Sequence, residues 1–300
     1  MTFSIQRWFI LSFCLISSFL TVRNYTWAQK TLFVGAIPDQ NPERLNRLYG
    51  LLSSELSRKL AVPVRYIPVT NYPAAVSAFR TGSLDLVWFG GLTGVQARVQ
   101  RPGAKVLAQR DIDTSFKSVF IANISSNIPV IKELSGLSRL KGRRFTFGSE
   151  SSTSGRLMPQ HYLQKAGVKM RDFQGRRPGF SGSHDATIAL VQSGSYEAGV
   201  LNKQVWTSSI KRGRVDNSKA IVIWETPAYA DYHWLAQGDL DARFGKDFTK
   251  KITQALLGLE RSSATQSRIL DLFGANHFVA AHAYQFVDIE RIGRQLGKIK

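Results

Sequence analysis

The 300-residue sequence contains a single cysteine, Cys14. That residue lies in an apolar stretch near the N-terminus, and bulky Phe13 before it argues against lipidation. The folded part therefore has no thiol and no disulfide, and must be held by packing alone. Acidic residues are also scarce: 21 Asp and Glu stand against 40 Lys and Arg, a net charge of +19. The basic residues are spread along the chain, with no basic run interleaved with aromatics, which argues against nucleic acid as a partner. What remains is an attraction for anions, an anionic membrane surface, or simply a basic soluble protein. Histidines number five. Two of them, His277 and His282, are five apart and do not stack on one helix face. No clustered metal ligands appear, so neither a metal nor another cofactor is expected. There is no G-x-S-x-G elbow, which argues against a serine hydrolase or phosphatase.

What is present begins with a leader. Arg7 precedes WFILSFCLISSFLTV (8–22), with no further charge until Arg23 and a polar end near Ala28. A basic start, a short apolar core and a polar end mark a secretory signal peptide over 1–28. The alternative is a retained anchor, but the run is short for a membrane span. After cleavage about 270 residues remain, enough for two lobes.

Strand-like and helix-like runs alternate. TLFVGAI (31–37) reads as a strand, and Asn41 with Pro42 as a helix start. Leu45, Leu48, Leu52, Leu56 and Leu60 then recur at helical spacing on one face. VPVRYIPV (62–69) and LDLVWF (84–89) are further strands, with a helix from about Pro73 to Gly82 between them. The rhythm resumes with RRFTFG (143–148), a helix over 154–167, another over 185–193, and strands at 196–202 and 220–225. From Asp239 the pattern is mainly helical. Such alternation predicts an α/β fold with mostly parallel sheets.

One internal match organises the chain. NYPAAVSAFRTGSLDLVWFGG (71–91) aligns without a gap on SHDATIALVQSGSYEAGVLNK (183–203), pairing Gly82 with Gly194 and Asp85 with Glu197. The match is either a generic helix–Gly–strand unit or the sign of two similar α/β lobes. In open α/β sheets, ligands sit beyond the carboxyl ends of the strands. Two lobes facing each other make a cleft that closes on a hinge. Tyr72 and the loop after Phe89 would line one wall, His184 and GSESSTSG (148–155) the other.

The hydroxyl cluster suits that place. If Ser152, Thr153 and Ser154 begin a helix, their N–H groups lack intrahelical partners and the helix dipole is positive there. With the hydroxyls they form an anion site without formal charge. The simpler reading is a helix cap or a serine linker. Pro159 would kink a helix begun at Ser152, so a short turn followed by a longer helix is expected. His184, in a Gly-Ser loop, is either a surface residue or a donor to an anion. Asp185 is expected to charge the helix start.

These residues together resemble the phosphonate/phosphite/phosphate-binding proteins of ABC importers. STSG followed by a proline, DLVWFG (85–90) and SHDA (183–186) carry the resemblance across nearly the whole mature chain. IPDQNPE (37–43), FGGLTGVQAR (89–98) and DYHWLAQGDLD (231–241) are similar to a subgroup labelled selenate-binding. The resemblance implies a periplasmic-binding-protein-like fold of two hinged α/β lobes, 30–118 plus 225–300 and 119–224. It implies an exported monomer without catalytic activity that delivers a small oxyanion to an ABC importer permease. A module presenting its closed form to a signalling receptor is the alternative. Implied ligand residues are Tyr72, Ser152, Thr153, Ser154 and His184. Phe89 stands where such proteins place a tyrosine, losing a hydroxyl. Gln204 aligns where an aminophosphonate binder has a carboxylate, which disfavours an amine-bearing ligand. Asp231 matches a further acidic position. Beside a fully ionised dianion a carboxylate is repulsive, whereas a protonated phosphorus oxyanion could donate to it. Asp231 therefore either reads a proton on the ligand or points elsewhere.

Overall fold

A computed structural model describes residues 30–300, so the leader expected at 1–28 lies outside the described residues. Strand β1 (Leu32–Ala36) leads into helix α1 (Pro42–Leu60). Asn41 Oδ1 accepts the N–H groups of Glu43 at 3.0 Å and Arg44 at 3.3 Å, while Pro42 occupies a position that needs no donor. The five leucines from Leu45 to Leu60 are all buried, as their spacing requires.

The chain continues through β2 (Val64–Tyr66), α2 (Tyr72–Arg80), β3 (Leu86–Phe89), α3 (Gly91–Gln100) and β4 (Lys105–Arg110). It then crosses into a second sheet made of β5 (Ser118–Asn123), β6 (Phe145–Phe147), β7 (Gly179–Phe180), β8 (Ala198–Asn202) and β9 (Ala220–Glu225). Helices α4 (Met158–Lys165), α5 (His184–Gln192) and α6 (Lys203–Lys211) belong to this part. The return strand β10 (His233–Ala236) rejoins the first sheet. It is followed by α7 (Leu240–Phe244), α8 (Phe248–Leu257), α9 (Ala264–Phe273), β11 (Phe278–Ala280) and α10 (Val287–Gln295). The orders are β11-β4-β10-β3-β1-β2 and β7-β6-β8-β5-β9.

The expectation of mostly parallel sheets is corrected. β1 pairs parallel with β2 and β3, and β6 with β7 and β8. However, β10 is antiparallel to β3 and β4, β11 to β4, and β5 to β8 and β9. The strands β5 and β10 carry the chain between the sheets. Each enters its sheet from the junction, against the direction of the strands built by helical crossovers. The C-terminal part is likewise not wholly helical, because β11 adds an edge strand.

In β5, Val119 and Ile121 join one apolar cluster and Phe120 and Ala122 another, so the second sheet is covered on both faces. The two passages between sheets pair with each other. Phe116 N–H donates to Tyr229 O at 2.8 Å and Tyr229 N–H to Phe116 O at 3.0 Å. Ser118 N–H donates to Thr226 Oγ1 at 3.0 Å, and Asp231 N–H to Asp113 O at 3.1 Å.

The internal match is visible in three dimensions. Asn71 caps α2 and Ser183 caps α5, which makes Tyr72 and His184 the first residue of each helix. Gly82 and Gly194 both end their helices in the left-handed region, at φ 79° and 76°. Asp85 Oδ2 accepts Phe33 N–H at 2.8 Å, and Glu197 Oε2 accepts Arg144 N–H at 2.9 Å. The acidic residue after each Gly-Ser turn thus ties its strand to the neighbouring one in both sheets.

Candidate functional site

The hydroxyl cluster lies at the junction of the two sheets. Ser152 is the cap: its Oγ accepts Gly155 N–H at 2.9 Å. Thr153–Leu157 form one π-helical turn, and α4 follows with Pro159 in its first turn. This is the short turn and longer helix that the proline requires. Wide winding suits the site, because N–H groups at such a start are not consumed by the helix itself. Gly155 packs closely here; a Cβ on it would stand 3.0 Å from Ser152 Oγ and 3.3 Å from His184 Cε1.

Two groups reach the start of α3 in the first sheet. Its cap is Gly90, which has no side chain to offer. Asp231 Oδ1 instead accepts Gly91 N–H at 2.9 Å, and Thr153 Oγ1 accepts Leu92 N–H at 2.9 Å from the opposite sheet. The second carboxylate oxygen, Asp231 Oδ2, is buried without a partner. Burial pushes the Asp231 pKa up to about 7, although the Gly91 N–H works against the rise.

Tyr232 is the hub of a second network. Its hydroxyl donates to Asp39 Oδ2 at 3.0 Å, accepts from Asn202 Nδ2 at 3.2 Å and lies 3.2 Å from His184 Nε2. With its proton on Asp39, the Tyr232 oxygen can only accept from His184, which assigns the imidazole proton to Nε2 and leaves Nδ1 a bare acceptor. Nδ1 is buried and unpartnered. Burial lowers the His184 pKa to about 3, so the ring is neutral at neutral pH. The expectation of a donor is thereby changed: the free nitrogen His184 brings to the junction, Nδ1, is an acceptor. Burial raises the Asp39 pKa to about 6, opposed by the Tyr232 hydroxyl. Arg110 lies 4.9 Å from the Tyr232 ring, held by Asp113 at 2.7 and 2.6 Å and by Phe273 O at 2.7 Å.

Tyr72, Ser152, Thr153, Ser154, His184 and Asp231 are thus gathered around one place, each at most 2% exposed. Tyr72 OH and Ser154 Oγ are also buried without a hydrogen-bond partner. Ser152 is near enough to act on the Tyr72 hydroxyl, but without hydrogen-bond geometry; burial, the larger effect, keeps that phenol protonated. Hydroxyl donors and two acceptors, Asp231 Oδ2 and His184 Nδ1, therefore converge without a formal positive charge in contact.

Other residues fall elsewhere. Phe89 is buried in the first core, edge-on to Phe79 with ring centroids 5.8 Å apart. Its described contacts do not reach the cluster; the strand turns Trp88 to that side, stacked on Tyr232 at 5.7 Å. Gln204 stands against Gly274, which ends α9, in a separate cleft of about 640 Å³. Asp185 Oδ2 accepts Asn41 N–H at 2.7 Å, bridging the sheets as well as charging the start of α5. His277 and His282 are exposed, and no metal-ligand cluster occurs among the described residues. Asp39, Tyr232 and Asn202 were not singled out from the sequence. The motifs IPDQNPE and DYHW hold two of them, but nothing local marks their meeting.

Two α/β sheets joined by a paired ribbon, with a buried polar cluster between them, define a solute-binding protein of the periplasmic-binding type. The chain belongs to the family of phosphonate ABC-transporter periplasmic substrate-binding proteins, whose model matches residues 34–286. Its members are substrate-binding components of transporters and not enzymes. The chain is 55% identical over 271 residues to the "Probable ABC transporter phosphite binding protein PhnD1" of Prochlorococcus marinus (strain MIT 9301), covering 90% of this chain and 91% of that one. The structure of PhnD1 from Prochlorococcus marinus in complex with methylphosphonate superposes with a TM-score of 0.89, covering 90% of this chain and 99% of that one at 55% identity. A binding-protein component of an ABC phosphonate transporter from Pseudomonas aeruginosa shares the fold, with a TM-score of 0.74 at 21% identity, covering 90% and 87%. These descriptions name phosphite, methylphosphonate and phosphonate; none names selenate.

Proposed function

We propose that the chain captures a phosphorus oxyanion such as phosphite or methylphosphonate between its two lobes and delivers it to an ABC importer permease. The observation that carries the reading is Asp231 Oδ2, a buried, unpartnered acceptor among hydroxyl donors. The donors Tyr72, Ser152, Thr153 and Ser154 take the anion's oxygens. Asp231 and the ligand share one proton, whichever of them brings it. Phosphorus oxyanions still hold a proton near neutrality, with a second pKa of about 6 in a phosphate ester. Sulfate and selenate do not, and above pH 7, where Asp231 has released its own proton, they would face a buried carboxylate with nothing to donate. His184 Nδ1 is a second acceptor for a protonated oxygen. The 55% identical relative PhnD1, described as phosphite-binding and solved in complex with methylphosphonate, points the same way.

The lobes are assigned as 30–118 with 225–300, and 119–224, supported by the sheet to which each strand belongs. Closure bends the ribbon of Phe116 and Tyr229. The leader at 1–28 is read as the export signal, and the protein as a monomer. Calorimetric titration with phosphate, phosphite, methylphosphonate, aminoethylphosphonate, sulfate and selenate tests the reading. Tight binding of a phosphorus species, with sulfate and selenate at least a hundredfold weaker, is expected. Equal binding of sulfate would remove Asp231 from the ligand site. Silence across the panel would overturn the oxyanion cleft.

A further inference from the structure

The turn that presents Ser152–Ser154 to the junction also carries Arg156, which lines a different space. Arg156 is 6% exposed, and no described carboxylate forms an ion pair with it. Its Nη1 donates to Met170 Sδ at 3.1 Å, a weak acceptor, while its Nε is buried with no partner. The guanidinium lies over Phe147 at 4.3 Å and over Phe180 at 5.0 Å. Burial lowers its pKa to about 10, so it remains a cation at neutral pH. Glu150, the acid it feels, is exposed on the rim and makes no contact with it. Lys298 is also depressed, by burial first and then by Arg156.

A buried guanidinium normally has a carboxylate or carbonyl oxygens to receive its fork of donors. Here Arg156 lines a groove of about 940 Å³, walled also by Arg144, Arg177, Met170, Pro178, Phe180 and Tyr196. The volume suits a small organic molecule. Phe180, though stacked on Phe147, is still 39% exposed, so the groove offers an apolar face beside its positive charge.

The geometry points to a second anion site in this groove, in which Arg156 grips a carboxylate or phosphate group carried on a flat apolar body. Arg144 and Arg177 add long-range attraction, and Phe180 with Tyr196 takes the apolar body. The site lies outside the junction cluster and shares none of its residues, so its occupant need not be the transported solute.

The test is calorimetric titration of the mature protein with phenyl phosphate, benzoate and inorganic phosphate, with and without saturating methylphosphonate. Phenyl phosphate is expected to bind one to one, at least about tenfold tighter than inorganic phosphate, and equally with methylphosphonate present. Arg156→Lys, which keeps the charge but loses the fork, should weaken it about tenfold. The exposed double variant Arg144→Gln/Arg177→Gln, which does not touch the core, should weaken it severalfold. The proposal is overturned if neither organic anion binds at about 10 mM, if methylphosphonate displaces them, or if both variants bind as the parent does. Should methylphosphonate not bind at all, the variant arms still decide the matter, so this site and the junction site stand or fall separately.

Discussion

Thr153 Oγ1 receives the backbone N–H of Leu92 at 2.9 Å, and the two residues come from opposite sheets. The bond fixes the hydroxyl as an acceptor toward α3, so its own proton is left for Asp231, on which it acts, or for a ligand oxygen. Thr153→Val keeps the shape, removes that donor and strands the Leu92 N–H. The expected loss is about 1–3 kcal/mol of ligand affinity, or roughly five- to 150-fold. Thr153→Ser should bind nearly as the parent does. Calorimetry on the pair separates the hydroxyl from the methyl.

Ser154 Oγ lies near enough to act on the Tyr229 hydroxyl but forms no hydrogen bond, so Ser154→Ala should leave the melting temperature of the unliganded protein unchanged or slightly raised. Its ligand affinity should fall about tenfold or more. A large drop in melting temperature without ligand would show that the hydroxyl is structural.

Asp231 predicts a pH signature. Its pKa is raised to about 7 by burial, so between about pH 4 and 7 the folded state holds a proton that the unfolded chain has released. Its contribution to stability is full below that window and lost as pH rises through 7. Asp39, raised to about 6, acts in the same sense. His184 and His233, lowered by burial to about 3 and about 4, act in the opposite sense up to about 6.5. Asp231→Asn should therefore flatten the decline of stability between pH 5 and 8. It should also flatten the loss of phosphite affinity above neutrality and admit sulfate. Denaturation and titration at several pH values check both.

Tyr232→Phe removes the hydroxyl that supports Asp39 and accepts from Asn202 and His184. With that bond gone, the folded-state pKa of Asp39 rises above about 6. The stability lost, about 1–3 kcal/mol, should appear above pH 6 and shrink below pH 4, where Asp39 is protonated in folded and unfolded chains alike. Urea unfolding at pH 4 and pH 7.5 reads the difference.

Gly274 closes α9 at φ 68°, and the Gln204 amide fills the space its side chain would need. Gln204 lies in α6, beside the second sheet, and Gly274 ends α9, beside the first, so the close approach exists only when the sheets are together. Gly274→Ala should weaken ligand binding by several-fold by holding the sheets apart, and the added change Gln204→Ala should restore part of it. If the double variant binds no better than the single one, left-handed backbone strain is the whole effect.

Much of this arrangement could be read in the chain. Asn41-Pro42 with its leucine stripe, the Gly82 and Gly194 stops, and the break before Pro159 are local signals, written within a few residues of where they act. The alignment of 71–91 on 183–203 placed Tyr72 and His184 at equivalent helix starts. The Tyr232 hub was illegible because Asp39 is 193 residues away and Asn202 30 residues away, and no periodicity encodes such a meeting. Phe89 illustrates a different limit: a strand alternates its faces, and the neighbouring Trp88 is the residue turned toward Tyr232. The antiparallel strands β5 and β10 escaped because sequence alternation does not reveal from which end a strand enters its sheet.

The near-complete burial of the six cluster residues has a temporal consequence. A solute enclosed among them has no diffusive exit while the sheets remain together, so departure must wait for the Phe116–Tyr229 ribbon to bend. Retention is then governed by a slow mechanical event and not by the momentary solute concentration outside. A protein that binds at this cluster would act as a memory of its last encounter, carrying that record until something pried the two halves apart.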